Sequence, residues 1–400
     1  MTDNLIKKAI NSFHVNSLKE YNIILINLDG FRKDKIDYCP TLKSLKEDSY
    51  YFSKMNTVSP YTFASLHSIF TGMYPSTHGV NGYYNIFDFK KNEITSLPEI
   101  LKKSGYYTSC DIISKIVIPK QGFDEWNIFD EESVDFETRH TDLIRKLSKK
   151  EKFFLFLHYT EVHKHLVREI IQKYKQESND DDFFNSKEEN HKRFDSYLPS
   201  CDKYVKAILT SLKELDIYDK TILIFFSDHG TSIGEKKGEK FYGVYTYDYT
   251  INVFCIFHVP NTISKIIEKQ CRTIDLFPTI GEIIEQYPSP DLVKVQGESL
   301  ITLIENPDSK ERDVFVETGG LYGPWPSPHK HNVFCIKFDN HKLIYNDTPQ
   351  TWEFYNLQND PDENKNLYDQ NSPQIEKYKE RLFLYLSQNK IITNLSYTKN

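Results

Sequence analysis

The sequence predicts an α/β protein in which a large mixed β-sheet is sandwiched by helices and followed by a smaller C-terminal α+β lobe. Nearly continuous apolar runs, typical of strands covered on both faces, alternate with helical stretches from about residue 20 to residue 290. Past residue 290 the strands become shorter and the alternation ends. A hydrophobic fraction of 39%, with 27 Tyr, 27 Phe and 3 Trp, provides a large core and excludes a disordered chain.

The strand predictions rest on four apolar runs. We expect strands at Asn22–Leu28, Phe153–Tyr159, Thr221–Phe226 and Val253–Val259. Helical stretches lie between these runs, at Thr41–Glu47, Phe63–Phe70, Leu97–Lys103, Thr141–Lys149, Tyr197–Leu215 and Leu276–Glu285. One further segment, Lys175–Lys192, is rich in charged residues, and its composition favours a solvated loop.

The change of pattern near residue 290 suggests a division of the chain. At roughly 150 residues per domain, its length allows two or three domains, or one large domain with an appendage. We expect an N-terminal extension at 1–19, the main α/β domain at 20–290 and an α+β subdomain at 291–400. The elements predicted for the subdomain are strands at Asp313–Glu317, Val333–Phe338, Lys342–Tyr345 and Glu353–Tyr355, and a helix at Pro373–Gln388.

Charge and cysteine content argue against several classes of protein. The 50 Lys+Arg against 57 Asp+Glu give a net charge of −7, which argues weakly against a nucleic-acid binder. No apolar run approaches the roughly 18 residues that span a bilayer, and residues 1–19 lack the apolar centre of a signal peptide. The six cysteines lie far apart without a C-x-x-C pair, so a disulfide framework is not expected. These observations predict a soluble, reduced, cytoplasmic protein without nucleic-acid or membrane partners.

Acidic and histidine residues stand where two of the predicted strands end. Asp29 follows the first strand, and Asp228-His229-Gly230 follows the strand Thr221–Phe226. The carboxyl ends of strands are the usual ligand positions of an open α/β sheet, and carboxylate oxygens and an imidazole nitrogen can bind one divalent ion. The alternative is structural, with Asp228 capping a turn and His229 hydrogen-bonded to the backbone.

Thr62 stands at the predicted start of a helix, where it would serve as the N-cap residue. The first turn of a helix also offers free backbone N–H groups to an anion. A hydroxyl at that place, beside a metal ion, can lose its proton and attack a tetrahedral phosphorus or sulfur atom. Taken alone, the threonine is better explained as a simple cap.

The order and spacing of these segments resemble the sulfatase branch of the alkaline phosphatase superfamily over most of the chain. N-I-I-L-I-N-L-D-G-F-R looks like the opening strand and first metal aspartate of that family. T-F-A-S-L-H-S-I-F-T-G-M-Y-P-S-T-H-G-V looks like its nucleophile helix, and the family spacing back from Gly72 leads to Thr62. L-H-Y-T-E-V-H resembles the strand and histidine that face the substrate, and F-S-D-H-G matches the second pair of metal ligands.

The resemblance implies a role for each candidate residue. Thr62 would be the nucleophile, and His163 would hydrogen-bond the transferred group or protonate the leaving group. One complete metal site would be formed by Asp29, Thr62, Asp228 and His229. Three basic residues are candidates for contacting the substrate anion: Arg32, Lys115 and Lys240. For Lys240 the alternative is a solvent-facing side chain. A second set of ligands is not apparent, so a two-metal site is not expected.

The chain also departs from the sulfatase pattern. Thr62 and Leu66 stand where that pattern has a formylglycine-forming Cys or Ser and an arginine, and threonine cannot give the aldehyde hydrate. The charged residue expected before Tyr247-Asp248 is displaced, and the nearest equivalent spacing holds Tyr242-Gly243. We expect His78 to fix a turn instead of binding metal. The aromatic and proline-rich loop 321–331 is either a substrate lid or a packed crossover.

These observations predict a metal-dependent hydrolase of phosphate or phosphonate esters or diesters, or less readily of sulfate esters, acting through a covalent Thr62 intermediate. A threonine nucleophile is what the resemblance associates with phosphodiesterases, phosphonate hydrolases and phospho-group transferases. Transfer to a sugar or another alcohol, and a catalytically silent binding or scaffold protein, are the alternatives. Oxygen-rich ligands with one histidine favour Mn²⁺ or Mg²⁺, with Zn²⁺ or Ca²⁺ as further candidates. The expected partner is a small or glycan-linked anionic ester.

Overall fold

A computed structural model of the protein describes residues 15–165, 180–237, 239, 242–320 and 331–394. In this part of the chain a nine-stranded and a four-stranded sheet are formed. The strands of the larger sheet are β1 (Asn22–Leu28), β2 (Tyr50–Asn56), β3 (Tyr107–Ile112), β4 (Glu125–Ile128), β5 (Phe153–Tyr159), β6 (Thr221–Phe226), β7 (Asn252–His258), β8 (Lys265–Ile267) and β9 (Cys271–Arg272). Those of the smaller sheet are β10 (Val314–Gly320), β11 (His331–Phe338), β12 (His341–Asn346) and β13 (Thr351–Asn356).

The helices lie between these strands and at the C-terminal end. They are α1 (Pro40–Glu47), α2 (Thr62–Thr71), α3 (Pro75–His78), α4 (Leu97–Lys103), α5 (Phe136–Leu147), α6 (Asp180–Asn185), α7 (Lys187–Ser196), α8 (Leu198–Glu214), α9 (Asp248–Ile251), α10 (Leu276–Ile283), α11 (Ile301–Glu305) and α12 (Pro373–Gln388). Short 3₁₀ turns occur at Val15–Glu20, Lys33–Tyr38, Tyr83–Asn85, Tyr218–Lys220, Thr273–Asp275 and Pro290–Leu292.

The larger sheet is mixed, as the sequence predicts. Its strand order is β4-β3-β5-β1-β6-β7-β2-β8, with β9 beside β2. The strands from β4 to β6 run parallel, and β7 is antiparallel to both of its neighbours. Because β1, β5 and β6 are adjacent and parallel, their carboxyl ends meet at one edge, which brings the segments that follow them together.

Both faces of this sheet are covered, which explains the continuous apolar runs. Ile23 and Leu25 of β1 point into a cluster with residues of α2, α4 and α10. Ile24 and Ile26 point into the opposite cluster, with residues of α1, α5 and α8. A strand buried on both sides loses the alternation of a half-exposed strand, so apolar continuity is the signal that remains.

The smaller sheet is antiparallel in the order β10-β11-β12-β13. One of its faces packs on α12 through Ile336, Leu343 and Leu382, in a cluster that also contains Tyr74 of the main domain. The other face packs against α9 and the segment before it. The observed lobe is the α+β element that the sequence predicts, while the domain boundaries stay predictions.

One prediction for the charged segment Lys175–Lys192 is wrong over its described part. Residues 175–179 lie outside the described residues, but helices α6 and α7 occupy 180–196. Phe183, Asn190 and Phe194 are completely buried there, and the two phenylalanines belong to the cluster that also contains residues of α8. The charges lie on the outer faces of these helices, and the few apolar side chains, spaced at helical intervals, provide the packing surface.

The six cysteines are all buried, and none forms a disulfide. Across the described ranges, the structure contains no helix with the length and apolar character needed to cross a bilayer.

Candidate active site

The candidate site lies at the carboxyl ends of β1 and β6. Asp29 directly follows β1, and Asp228 and His229 follow β6, its parallel neighbour. One ligand atom from each of the three side chains lies within 4.8 Å of the others, and all three residues are buried. The peptide N–H of Asp228 donates to Asn27 Oδ1 at 3.0 Å, which fixes the end of β6 against β1. The two segments that the sequence singled out therefore meet in space.

Gly230 lets the segment after His229 approach α9 closely. Its N–H donates to Thr250 O at 2.8 Å, and a Cβ at this position would lie 2.2 Å from Tyr249 O. Any other residue would push the strand end away from its neighbour, so the glycine of Asp228-His229-Gly230 has a steric cause.

The atoms that face one another in this cluster suit a cation. Asp29 Oδ1 and Asp228 Oδ2 are buried, and neither accepts a hydrogen bond from any residue that the structure describes. His229 Nδ1 is 2.8 Å from Gly230 O, so it carries the proton and leaves Nε2 with a free lone pair. His229 Nε2 lies 3.6 Å from Asp29 Oδ1 and 3.8 Å from Asp228 Oδ2. Two carboxylates and one imidazole nitrogen fit a divalent metal ion.

The pKa shifts of the two carboxylates also indicate a site for a cation. Burial raises the pKa of Asp228, and the negative charge of Asp29 raises it further. Burial also acts to raise the pKa of Asp29, but the charge of His163 and the hydrogen bond and charge of His158 outweigh it, so the pKa falls. Among the described residues, neither carboxylate forms an ion pair with a lysine or arginine. A bound cation would therefore supply the charge that compensates both.

Thr62 is the first residue of α2, and Tyr61 before it takes the N-cap position. The prediction that Thr62 caps this helix is wrong, because its hydroxyl points at the metal-ligand cluster and not at the helix backbone. Thr62 Oγ1 lies 3.1 Å from His229 Nε2, and the residue is 9% exposed. Since Nε2 is the unprotonated nitrogen, the hydroxyl donates to it. The hydroxyl and the candidate metal ligands thus share one site.

The first turn of α2 is tied to the end of β6 by Ser65. Its hydroxyl donates to Asp228 O at 2.8 Å and lies 2.9 Å from Thr57 Oγ1. This network fixes the start of α2, and with it Thr62, against the segment that carries Asp228 and His229.

His158 is a site residue that the sequence reasoning did not single out. It lies on β5, in register with Asn27 of β1, and its Nε2 is 2.7 Å from Asp29 Oδ2. The bond occupies one carboxylate oxygen of Asp29 and leaves the other free to face His229. Only the pairing register of β1 and β5 reveals this contact, although His158 stands in the strand motif that carried the resemblance.

His163 and Tyr242 form one wall of the site. His163 Nε2 is 2.5 Å from the Tyr242 hydroxyl, and the Tyr242 ring stacks on the His229 ring with centroids 4.3 Å apart. Gly30 lies next to this wall, and a Cβ there would lie 3.0 Å from Thr231 Oγ1, which is closer than side chains normally approach. Its φ of +65° is also one that glycine adopts without strain.

The three basic residues named as anion contacts are not brought together in the described structure. The Arg32 guanidinium is 2.9 Å from Asp34 Oδ1 and 2.5 Å from Glu235 Oε1, so carboxylates already compensate its charge. Lys115 is exposed in the loop after β3. Lys240 lies outside the described residues, as do residues 321–330 of the aromatic loop.

His78 has the structural role that the sequence predicts. Its Nδ1 accepts a hydrogen bond from the N–H of Val80 at 3.2 Å, and its Nε2 lies 2.9 Å from Ser68 Oγ. These bonds fix the turn after α3 to the middle of α2, away from the metal-ligand cluster.

The chain is similar in sequence to known sulfatases. A family model described as Sulfatase matches residues 22–285, and a second, described as the C-terminal part of N-sulphoglucosamine sulphohydrolase, matches residues 238–390. A sulfatase of Formosa agariphila is 27% identical over 199 residues, which are 45% of this chain and 36% of that protein. The matched stretch is thus little more than a third of that relative.

Solved structures show the same fold. A phosphonate monoester hydrolase from Silicibacter pomeroyi has a TM-score of 0.73 at 15% identity, over 92% of this chain and 96% of its own. A protein solved in complex with its substrate D-glucosamine-2-N,6-O-disulfate also has a TM-score of 0.73 at 15% identity, over 93% and 98% of the two chains. At these identities the likeness concerns the fold alone. Because the Sulfatase model covers more than half of the sequence, the chain belongs to the sulfatase family, as its motifs predict.

Proposed function

We propose that the protein is a metal-dependent ester hydrolase that forms a covalent intermediate on Thr62, with phosphate or phosphonate esters as its substrates. One observation carries the proposal: Thr62 Oγ1 lies 3.1 Å from His229 Nε2, beside two buried carboxylates that form no ion pair with a lysine or arginine among the described residues. This combination joins a nucleophilic hydroxyl to a site for a divalent ion. A silent binding protein would not need such a site to be kept complete.

A threonine nucleophile favours phosphorus esters over sulfate esters as substrates. Threonine cannot become formylglycine, so the sulfate-ester chemistry that depends on the aldehyde hydrate is closed to Thr62. A threonine alkoxide can attack phosphorus directly. The fold shared with a phosphonate monoester hydrolase supports this choice, and the fold shared with a protein whose substrate is a sulfated glucosamine keeps sulfate esters as the second candidate.

The residues of the chain divide the chemical work among them. The Thr62 hydroxyl loses its proton to solvent and its oxygen bonds to the phosphorus atom, while the bond from phosphorus to the leaving oxygen breaks and the electron pair stays on that oxygen. The position of Thr62 at the N-terminus of α2 places the transferred group near free backbone N–H groups. His158 holds Asp29 in place, and His163 provides a hydrogen bond beside the reacting group. Water then cleaves the phospho-threonine and regenerates the hydroxyl.

Asp29, Asp228 and His229 would hold the metal ion. Such an ion lowers the pKa of a nearby hydroxyl and polarises a non-bridging oxygen of the ester. The two carboxylates favour Mn²⁺ or Mg²⁺, and Zn²⁺ or Ca²⁺ are further candidates for the same ligands. The aromatic wall and the anionic-ester chemistry also suit a glycan-linked substrate.

The Thr62→Ala variant tests the mechanism. We expect it to lose turnover of nitrophenyl phosphonates and phosphodiesters, because the covalent step needs the hydroxyl, while the other three ligands retain metal. Thr71→Ala is the matched control, since Thr71 is buried in the same helix and its hydroxyl donates to His67 O at 2.8 Å. Full activity of Thr62→Ala would refute the covalent mechanism.

Transfer to a sugar or another alcohol would share the covalent step and differ only in the acceptor. Product analysis with and without added alcohols separates this second candidate from hydrolysis. A wild-type protein that binds metal but turns over neither phosphorus nor sulfur esters would favour a scaffold function.

A further inference from the structure

The three candidate metal ligands lie in two segments that extend past the pairing of β1 with β6. The last residues paired between these strands are Asn27 and Phe226. Asp29, Asp228 and His229 therefore stand beyond the sheet, where strand pairing no longer fixes them. A metal ion binds tightly only when the residues around its ligands hold them in place. Other contacts must therefore fix one segment against the other.

Arg32, three residues after Asp29, reaches from the first segment to the second. Its Nη1 donates to Thr231 O at 2.9 Å and to Glu235 Oε1 at 2.5 Å, and both partners follow His229 along the chain. The arginine is buried, so water competes little for these contacts. The two segments are thus joined by charge-assisted hydrogen bonds, which are among the stronger ones in proteins.

The opposite edge of the guanidinium is held by Asp34. Arg32 Nε donates to Asp34 Oδ1 at 2.9 Å, and Nη2 donates to Asp34 Oδ2 at 3.1 Å. This bidentate pair lies within the first segment and orients the guanidinium, which leaves Nη1 for the second segment. A lysine has a single ammonium group in place of the planar fork, so it cannot keep the contacts on both edges.

Glu235 in turn shapes the segment that follows His229. Its Oε2 accepts a hydrogen bond from the N–H of Ile233 at 2.7 Å, and its Oε1 lies 3.3 Å from His191 Nε2 of α7. Burial acts to raise the pKa of Glu235, but the hydrogen bond from His191 and the charge of Arg32 outweigh it and lower the pKa to about 2. The carboxylate is therefore charged near neutral pH and remains paired with Arg32.

A second contact between the segments lies beside the first. The Thr231 hydroxyl donates to Gly30 O at 2.7 Å, directly after Asp29. Thr231 is 1% exposed, and its carbonyl and its side chain both bond to the first segment. These bonds lie only two residues past His229, so they restrict the position of that ligand relative to Asp29.

We infer that Arg32 is a positioning residue, which holds the segment after β1 against the segment after β6 and so keeps the three candidate ligands at the separation that a divalent ion needs. The sequence predicts a different role for Arg32, a contact with the substrate anion. The inference rests on the metal site of the proposed function. The contacts of Arg32 do not include the ion, so they also order residues 228–235 in the metal-free protein.

Arg32→Lys tests the inference, because it keeps the positive charge and removes the fork. We expect its Kd for Mn²⁺, measured by calorimetry, to rise by about 10–100-fold. Arg312→Lys is the matched control, since Arg312 is a buried arginine that joins two other segments, through Asp275 Oδ2 at 2.7 Å and Ser299 O at 2.6 Å. These contacts do not involve the candidate ligands, so the Kd of the control should change by less than about threefold.

Hydrogen–deuterium exchange of the metal-free proteins gives a second measurement, which does not depend on metal binding. We expect residues 228–235 to exchange faster in Arg32→Lys than in the wild type, and β1 and β5 to exchange at the same rate in both. Glu235→Gln removes the charge that Arg32 contacts and should give the same local change. Combining the two substitutions should lower the Mn²⁺ affinity little further, because both remove one contact.

Three results would overturn the inference. One is a folded Arg32→Lys protein that binds Mn²⁺ within about threefold of the wild type. An equal loss of affinity in Arg312→Lys would make the effect one of general stability. Faster exchange throughout the larger sheet would show that Arg32 supports the whole fold instead of this segment.

Two further outcomes leave the test decisive. If Arg32→Lys does not fold, Glu235→Gln alone makes the same comparison, and unchanged Mn²⁺ affinity and exchange in that variant would overturn the inference. A wild-type protein that binds no Mn²⁺ would refute the metal site of the proposed function, and the exchange of residues 228–235 would then decide whether Arg32 holds the two segments together.

Discussion

Two groups of buried or half-buried carboxylates in this protein are compensated in different ways. At the interface between the main domain and the C-terminal lobe, Asp248 and Glu363 surround Lys342, whose Nζ lies 2.5 Å from Asp248 Oδ1 and 2.8 Å from Glu363 Oε1. Lys337 adds a second contact to Asp248 at 2.7 Å. At the ends of β1 and β6, Asp29 and Asp228 have histidines as their only described ionic partners.

This difference distinguishes two kinds of cluster. We call Asp248, Glu363, Lys337 and Lys342 the structural cluster, and Asp29, Asp228 and His229 the functional cluster. A buried charge is costly unless it is paired, so a fold normally supplies a lysine or arginine, as it does at Lys342. In the described part of the chain neither Asp29 nor Asp228 has such a partner, as expected when the compensating charge comes from a bound ion. The positively charged side chains of Lys337 and Lys342 outweigh burial and lower the pKa of Asp248. The pKa of Asp228 is instead raised, by burial and by Asp29.

The largest effect on stability is expected from removing the internal cation of the structural cluster. Lys342→Met leaves Glu363 buried without its lysine, and we expect the free energy of unfolding to fall by about 3–5 kcal/mol. Urea denaturation measures this change. Lys203→Met is the control, because its pair with Glu137 is exposed and screened by solvent, so its loss should change stability little. Equal losses in the two variants would remove the distinction between the clusters.

The next largest effect is a loss of metal affinity, which we expect when the histidine that positions Asp29 is replaced. His158→Phe keeps a buried ring but removes the hydrogen bond to Asp29 Oδ2. We expect metal affinity to fall by about 10–100-fold, measured by calorimetry. His158→Gln retains a donor and should recover part of the affinity. If His158→Phe binds metal as tightly as the wild type, the bond to Asp29 does not position this ligand.

Glu317 is buried without a metal site or a lysine, and hydrogen bonds from Tyr385 and Ser76 contact its carboxyl group. We expect its contribution to the pH dependence of stability to be the smallest of these effects. Burial raises its pKa to about 7, against hydrogen bonds from Tyr385 and Ser76 that lower it. Because the folded pKa lies above the unfolded value, the native state binds more protons between about pH 4.5 and 7. The stability that the proton provides is complete at the lower limit and is lost as the pH rises through 7.

Glu317→Gln mimics the protonated carboxyl group and should remove this part of the pH dependence. We expect the wild type to lose more stability than the variant between about pH 5 and pH 8, as measured by urea denaturation. Parallel pH profiles of the two proteins would show that Glu317 does not titrate in this range.

The strands that carry the site were predictable because they are buried on both faces. The bounds of β1, β5 and β6 agree with the prediction, and so does α12. By contrast, β3 was missed, since its buried polar residues hide the apolar signal. Asp111 in that strand is compensated by Arg139 and His140 of α5, a pairing that appears only after the helix has packed.

The candidate site likewise contains residues that the sequence identified and contacts that it could not predict. Asp29, Asp228 and His229 stand at strand ends in recognisable motifs, so the sequence identified them. The contacts of His158 and Tyr242 depend on strand register and on a loop held by the C-terminal lobe, which no local pattern reports. The sequence predicts that Arg32 contacts the substrate anion. In the structure its guanidinium instead pairs with Asp34 Oδ1 at 2.9 Å and Glu235 Oε1 at 2.5 Å.

The central claim is that Asp29, Asp228 and His229 hold a metal ion that the structural cluster does not. Metal content after dialysis against Mn²⁺, measured by mass spectrometry for the wild type, Asp228→Asn and Asp248→Asn, tests it most directly. We expect about one ion per chain in the wild type and in the folded Asp248→Asn protein, and none in Asp228→Asn. Equal metal content in the wild type and Asp228→Asn would contradict the account.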